Sequence, residues 1–156
     1  MKRILPLWRR LENKPFGKWC FSRLVSHQAP YFKSIKPLVE ELRAGHVRVS
    51  MQKRRAVHNH IGTVHAIAMC NLCELAAGLV TEVSIPDSMR WLPRGMMVEY
   101  LQKAQTNLVA ECDFPAIEEG KSSDVPVNVE VRDAGKNLVC RAIITMYVSP
   151  RKAKAQ

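Results

Sequence analysis

Acidic side chains are scarce in this sequence: 14 Asp and Glu stand against 24 Lys and Arg, a formal charge of +10. Such an excess favours solubility and attracts polyanions without saying anything about fold, so nucleic acid, acidic lipid and phosphate-bearing small molecules are all admissible partners. Nucleic acid loses ground because no helix-turn-helix, zinc-finger or RNA-recognition signature accompanies the charge. Cysteine is sparse and odd in number, with Cys20, Cys70, Cys73, Cys112 and Cys140 scattered through apolar stretches and no secretory signal ahead of them. That argues against a disulfide scaffold and for reduced thiols in a cytoplasm. Cys70 and Cys73 form a lone CxxC with no second pair to complete a structural zinc site, so they read as small buried apolar side chains, and no metal is expected. An uninterrupted membrane span is missing too: residues 61–80 reach the ~20 positions a span needs, but His65, Asn71 and Glu74 break the run. There is no internal repeat or low-complexity tract. At 156 residues with 47% hydrophobic content, the chain suits one core and one domain over 1–156.

What is present changes character along the chain. The first 36 residues hold nine Lys and Arg and a single acid, Glu12, with Trp8, Phe16, Trp19 and Phe21 interleaved. Residues 1–34 therefore read as a basic helical arm packed by its aromatics with charges in water, the alternative being an amphipathic membrane-binding or targeting helix. Pro30 and Pro37 stop any longer helix. The period then becomes two: residues 38–42, a break at Ala44 and Gly45, and Val47, Val49 and Met51 alternating with Arg48, Ser50 and Gln52, which is a hairpin pattern with one buried face.

Residues 63–80 lack proline, are rich in Ala, Leu, Met and Val, and predict a long helix apolar nearly all round, hence enclosed all round. Its Ala66, Ala68, Ala76, Ala77 and Gly78 keep it slim enough for a sheet to wrap closely. Strands are predicted over 97–101, 108–112, 125–131 and 138–148, and their mostly short connections predict antiparallel pairing in succession. Pro126 implies an edge or a bulge in its strand. Residues 115–124 read as a surface loop and 150–156 as a disordered tail. The fold class is α+β, a curved antiparallel sheet wrapped around one central helix, with its core over 35–149.

Glu74 is the only carboxylate between Met51 and Thr81, and it sits well inside the apolar helix. Burying an unpaired carboxylate costs on the order of several kcal/mol, so it must be paired, protonated or facing a cavity. A salt bridge to Arg54, Arg55 or Arg141 would be a purely structural outcome. Just upstream, residues 58–66 (HNHIGTVHA) gather polar groups and a glycine where the helix begins. A helix N-terminus offers free N–H groups and partial positive charge, which suits an oxyanion. The plainer reading, with Thr63 as N-cap and Gly62 as a turn residue, is compatible with it.

The segment from Asn59 to Glu74, NHIGTVHAIAMCNLCE, resembles the active-site stretch of hotdog-fold thioesterases of the phenylacetate-pathway type, and residues 54–80 resemble an uncharacterised bacterial branch of that superfamily. The Asn-to-His spacing of six and the His-to-acid spacing of nine both match, and the element order over residues 35–148 is that of a hotdog fold. Many relatives have Gly after the His and Asp on the helix; this chain has Ala66, which still supplies a backbone N–H, and Glu74. The resemblance implies an acyl-CoA thioesterase acting without a cofactor as a homodimer, with a dimer of dimers left open. Each site would take Asn59, His65 and Ala66 from one subunit and Glu74 from the other, the acid serving as base or nucleophile. Thr81, Ser84 and Ser88 are candidates for the hydroxyl that some relatives place opposite the acid.

CoA carries several phosphates, so the basic balance fits it without calling on nucleic acid. Gly62, Thr63, Arg54, Arg55, Arg90 and Arg94 are the candidate substrate contacts at the CoA end, and Met69 and Trp91, with Met96 and the aromatic arm, at the acyl end. A non-catalytic acyl-CoA sensor shares the architecture and stays open, as fold does not fix function. A hotdog dehydratase is disfavoured, because nothing rich in Pro and Gly separates His65 from Glu74.

Overall fold

The computed structural model describes residues 4–151. Two helices, α1 (Ile4–Leu11) and α2 (Gly17–Gln28), and a 3-10 turn (Pro30–Ser34) precede β1 (Leu38–Arg43) and β2 (His46–Met51). A second 3-10 turn (Arg55–Val57) leads to the long helix α3 (Ala66–Ser84), and β3 (Met89–Tyr100), β4 (Leu108–Asp113), β5 (Ser123–Asp133) and β6 (Leu138–Pro150) follow. The six strands form one antiparallel sheet in the order β1-β2-β4-β5-β6-β3, and α3 packs against all six, which is the hotdog arrangement.

The period-two segments fold as their patterns dictate. Val125, Val127, Val129 and Val131 of β5 point into the core while Pro126, Asn128 and Glu130 face solvent. Pro126 lies where β5 has only β6 beside it, because the β4 pairing begins at Val129. Its missing N–H therefore breaks no ladder on that side.

Succession in sequence fails for β3. It does not join β4 but runs along the opposite edge, paired with β6 from Met89↔Pro150 to Tyr100↔Cys140. The cause is α3, whose 19 residues span about 28 Å. That exceeds the ~19 Å of four inter-strand spacings, so the helix carries the chain across the sheet. β3 also begins eight residues earlier than its pattern predicts. Pro93 and Gly95 mask it, and both sit at a bulge on an edge strand, where one side needs no hydrogen bonds.

The helix starts at Ala66 rather than Thr63 and ends at Ser84 rather than near residue 80. Thr63 is engaged in the preceding loop, and His65 is the N-cap instead. Pro86 forces Ile85 into an extended conformation and so sets the end. Nor is α3 enclosed on every side. Leu72, Cys73, Leu75, Ala76, Ala77, Leu79 and Val80 are buried, but Ile67 is exposed and Cys70, Glu74 and Gly78 are half-buried. These four recur at helical spacing and form one open stripe. Exposed Met96 and Tyr100 of edge strand β3 extend the open apolar surface, and the Tyr100 hydroxyl lies 2.9 Å from Cys70 Sγ.

The arm covers the other edge. The Val39 N–H donates to Ser22 Oγ at 2.8 Å and Lys18 Nζ donates to the Glu40 carbonyl at 2.7 Å, so α2 caps β1, an edge that would otherwise invite further pairing. Trp8 and Phe21 pack edge to face at 5.0 Å and fix α1 on α2, while Phe16 and Trp19 face outward. Two of the four arm aromatics thus pack as expected. At the tail, the Arg151 N–H donates to the Ser88 carbonyl at 2.8 Å, so residues 150 and 151 are anchored; residues 152–156 of the predicted tail lie outside the described residues.

Gly17 is the hinge of this arm, because a Cβ there would lie 1.8 Å from the Leu11 carbonyl oxygen. Gly17→Ala is expected to lower unfolding stability by about 3 kcal/mol through forced separation of α1 and α2. Gly95→Ala, whose Cβ meets nothing within 4 Å, should shift the denaturant midpoint little by comparison.

Candidate active site

The approach to α3 is a closed loop. His58 and Val64 bridge, the Asn59 N–H donates to the Thr63 carbonyl at 2.9 Å, and Asn59 Oδ1 accepts from the Thr63 N–H at 3.0 Å and the Ile61 N–H at 3.2 Å. Asn59 Nδ2 donates to Thr63 Oγ1 at 2.7 Å, and Gly62 takes the left-handed φ of 77° the turn requires. Asn59 and Thr63 are therefore engaged with each other, and the Asn59 amide keeps one N–H of its own. The loop is pinned to the fold where the Val64 N–H donates to the Ala104 carbonyl at 2.9 Å and the His65 N–H to the Val57 carbonyl at 2.8 Å.

This anchoring sets the helix start. His65 Nδ1 accepts from the Ile67 N–H at 3.1 Å, which places the proton of a neutral imidazole on Nε2. The Ala68 and Met69 N–H groups both donate to the His65 carbonyl. Of the first-turn donors, the Ala66 N–H alone has no acceptor among the described residues. A free backbone N–H at the positive end of a 19-residue helix, beside a ring N–H, is an anion-stabilising arrangement.

Glu74 lies farther along the helix. None of the described side chains hydrogen-bonds or ion-pairs its carboxylate, and the salt bridges to Arg54, Arg55 or Arg141 do not form. Arg54 donates to the Ser34 carbonyl, Arg141 pairs with Glu99, and Arg55 is exposed. Glu74 borders a cavity of about 240 Å³ otherwise lined by apolar side chains, chiefly Val25, Ala29 and Phe32 of the arm, Leu75 and Leu79 of α3, and Trp91 of β3. It is half-buried, so water reaches it without the full cost of a charge in a dry core.

Nine residues separate His65 from Glu74, about 13 Å along the axis and about two and a half turns. Within one protomer that axial separation keeps the helix start and the acid from meeting on one small group. The structure brings Asn59, Gly62, Thr63, His65 and Ala66 together in one cluster and Glu74 with Trp91 in another. Arg54 and Arg55 adjoin the first cluster. Arg90 is an exposed edge residue donating to Ser149 Oγ at 3.3 Å, and Arg94 is engaged by Asp124 at 2.9 Å and stacked 4.0 Å from the Tyr147 ring. Met69 is core rather than cavity lining, and Met96 is exposed on β3. Thr81 Oγ1 donates to the Ala77 carbonyl, Ser84 Oγ to Val80, and Ser88 to Glu119; none borders the Glu74 cavity.

Several site residues escaped the sequence reading. Val25, Ala29 and Phe32 wall the Glu74 cavity, and no local pattern in the arm distinguishes a wall residue from a packing one. Beside His65, a second cavity of about 190 Å³ is lined in part by Tyr31, Ser34, His58 and Asn71. Asn71 Nδ2 donates to Ser34 Oγ at 3.0 Å, while its buried Oδ1 and His58 Nε2 have no partner among the described residues. Asn71 carried a signal, being an amide one turn before Glu74 on an otherwise apolar face.

All five cysteines are free thiols. A hydrogen bond with Cys140, reinforced by burial, holds Cys73 well above its ordinary value, and burial pushes Cys112 up to about 12. Both are neutral, unreactive thiols at neutral pH. Among the described residues no three His, Cys, Asp or Glu side chains converge as a metal-ligand set.

No curated protein matches the chain. Among solved structures, the structural-genomics protein APC5556 is 44% identical, with a TM-score of 0.83, over 96% of this chain and 98% of its own. A Pseudomonas aeruginosa protein described as a probable thioesterase is 18% identical over 83% of this chain and 93% of its own, with a TM-score of 0.75. A Haemophilus influenzae thioesterase is 13% identical over 94% and 99%, also with a TM-score of 0.75, and likeness at such identities speaks to fold alone. The matched residues, 17–148, take in everything from α2 to the body of β6, and the chain accordingly belongs to the hotdog-fold family described as Domain of unknown function (DUF4442).

Proposed function

We propose that this chain is one protomer of a homodimeric acyl-CoA thioesterase that hydrolyses a thioester to the free acid and CoA. The observation that carries the reading is one helix that keeps a free N–H at its first residue and an unpaired carboxylate on its open stripe. The open stripe of α3 and the uncovered β3 edge are the surface a second copy would bury, and that pairing would bring the helix start of one protomer to the acid of its partner. Assembly into a dimer of dimers is a further extension of the same proposal, as is a cytoplasmic setting for five free thiols.

In this mechanism the thioester carbonyl oxygen accepts from the Ala66 N–H, and the helix N-terminus stabilises the charge that develops on it. The His65 Nε2–H donates to the same oxygen or orients the attacking water. The partner's Glu74 removes a proton from that water as its oxygen bonds to the carbonyl carbon. Collapse of the tetrahedral intermediate breaks the C–S bond, and the departing sulfur of CoA takes up the proton. A direct attack by the carboxylate, giving an anhydride that water then opens, reaches the same products. Asn59 acts through the loop it closes, which places Gly62, Thr63 and the helix start. Arg54 and Arg55, next to that loop, are the proposed CoA phosphate contacts; Arg94 is already engaged by Asp124.

The test is release of free thiol from a panel of acyl-CoAs by the purified protein. Turnover of at least one is expected. Binding without release from any of them would make the protein an acyl-CoA sensor.

A further inference from the structure

We propose that the N-terminal arm is a chain-length ruler, and that the acyl group it measures is a straight saturated chain of about six to eight carbons. The inference rests on the thioesterase reading and assigns its substrate class. The cavity beside Glu74 is walled by the arm through Val25, Ala29 and Phe32, by α3 through Leu79, by Trp91 of β3 and by Met146 of β6. A thioester carbonyl held at Glu74 would send its alkyl chain inward, because among the described residues the carboxylate is the only charged group on the cavity wall.

The walls are fixed. Arm position is set by the Ser22 bond to β1 and by the Trp8–Phe21 contact, so Val25, Ala29 and Phe32 are carried on a supported element. The Trp91 indole rests on Gly78, where a Cβ would lie 3.2 Å from its Cη2, and its Nε1–H donates to Glu82 Oε2 at 2.8 Å. Gly78 is thus the position that lets the edge of the ring come this close to the helix, and the bond to Glu82 keeps it from turning.

The volume sets the class. A water occupies roughly 30 Å³ of liquid, and a methylene takes up about as much, so about 240 Å³ accommodates on the order of eight such groups. That is smaller than the ~300–1,000 Å³ of pockets that take drug-sized ligands, and a palmitoyl chain would not fit within it.

The experiment uses the full chain and straight acyl-CoAs from acetyl to palmitoyl. For the unaltered protein kcat/KM should rise about fourfold per methylene, the factor corresponding to burial of one CH2 group, up to about six to eight carbons, and then flatten or fall. Ala29→Leu, which narrows the cavity from the arm and leaves the residues of α3 and Trp91 unaltered, should move the optimum about two to three carbons shorter. A preference that climbs through palmitoyl, or an optimum that Ala29→Leu leaves in place, would overturn the ruler while leaving the thioesterase reading standing. Absence of turnover with every acyl-CoA would instead strike that reading. The ruler is then decided by titrating octanoate and palmitate against Trp91 fluorescence, with Trp91→Phe as the blank: octanoate must saturate the signal, and an equal or stronger response to palmitate overturns the proposal.

Discussion

Glu74→Gln should cut kcat for acyl-CoA hydrolysis by about a thousandfold, within the 10²–10⁴ range that a positioned general base contributes, and leave KM close to its original value. The amide has the shape of the carboxylate but can neither take a proton from water nor form an anhydride. Because Glu74 is half-buried and has no partner to lose among the described residues, the fold should tolerate the change within about 0.5 kcal/mol. Loss of turnover with an unchanged melting curve and circular dichroism spectrum therefore reads on chemistry. Retention of a tenth of the activity or more would remove Glu74 from the reaction.

Ala66→Pro asks the matching question of the helix start. Proline is favoured at the first helical position, where its fixed φ suits the turn and its missing N–H costs no helical bond. His65 already has φ −65° and ψ 139°, the extended conformation a residue before proline adopts. The substitution thus deletes the proposed oxyanion donor and leaves α3 intact, and a loss of about 10²–10³ in kcat is expected. Mixed with Glu74→Gln protein and allowed to exchange subunits, the two inactive variants should recover about a quarter of native activity, because half of randomly paired dimers are mixed and each mixed dimer carries one intact site of two. The separation of about 13 Å between His65 and Glu74 along one helix is the reason to expect this. No recovery, under conditions where subunit exchange is demonstrated, would mean that each chain assembles its site from its own residues.

Much of this geometry follows from local pattern. The alternation in residues 47–51 and 125–131 places those side chains on the right faces because a strand's period of two leaves no other choice when one face is buried. A single carboxylate within an apolar helix had to face a cavity, pair or lose its charge, and it borders a cavity. Pro126 predicted a local edge, and β4 stops short of it.

Three features were illegible for physical reasons. His65 rather than Thr63 caps α3, since Thr63 is claimed by Asn59 across a loop whose closure depends on Ala104, about forty residues downstream. Strand β3 is hidden by Pro93 and Gly95, residues that only an edge with a bulge accommodates, and edge status depends on where α3 delivers the chain. The cavity walls come from the arm, whose Val25, Ala29 and Phe32 look like any packing residues until α2 is seated on β1.

By itself, then, the sequence determined the central helix, the strands with an unbroken alternation, the isolation of Glu74 and the polar entry to its helix, because periodicity and the cost of burying charge act within a few residues of chain. Tertiary structure alone decided which strand became the open edge, which N–H at the helix start stayed free, and which arm residues wall the space beside the acid. Those outcomes depend on contacts between segments far apart in sequence, and it is the path of α3 across the sheet that brings the segments together.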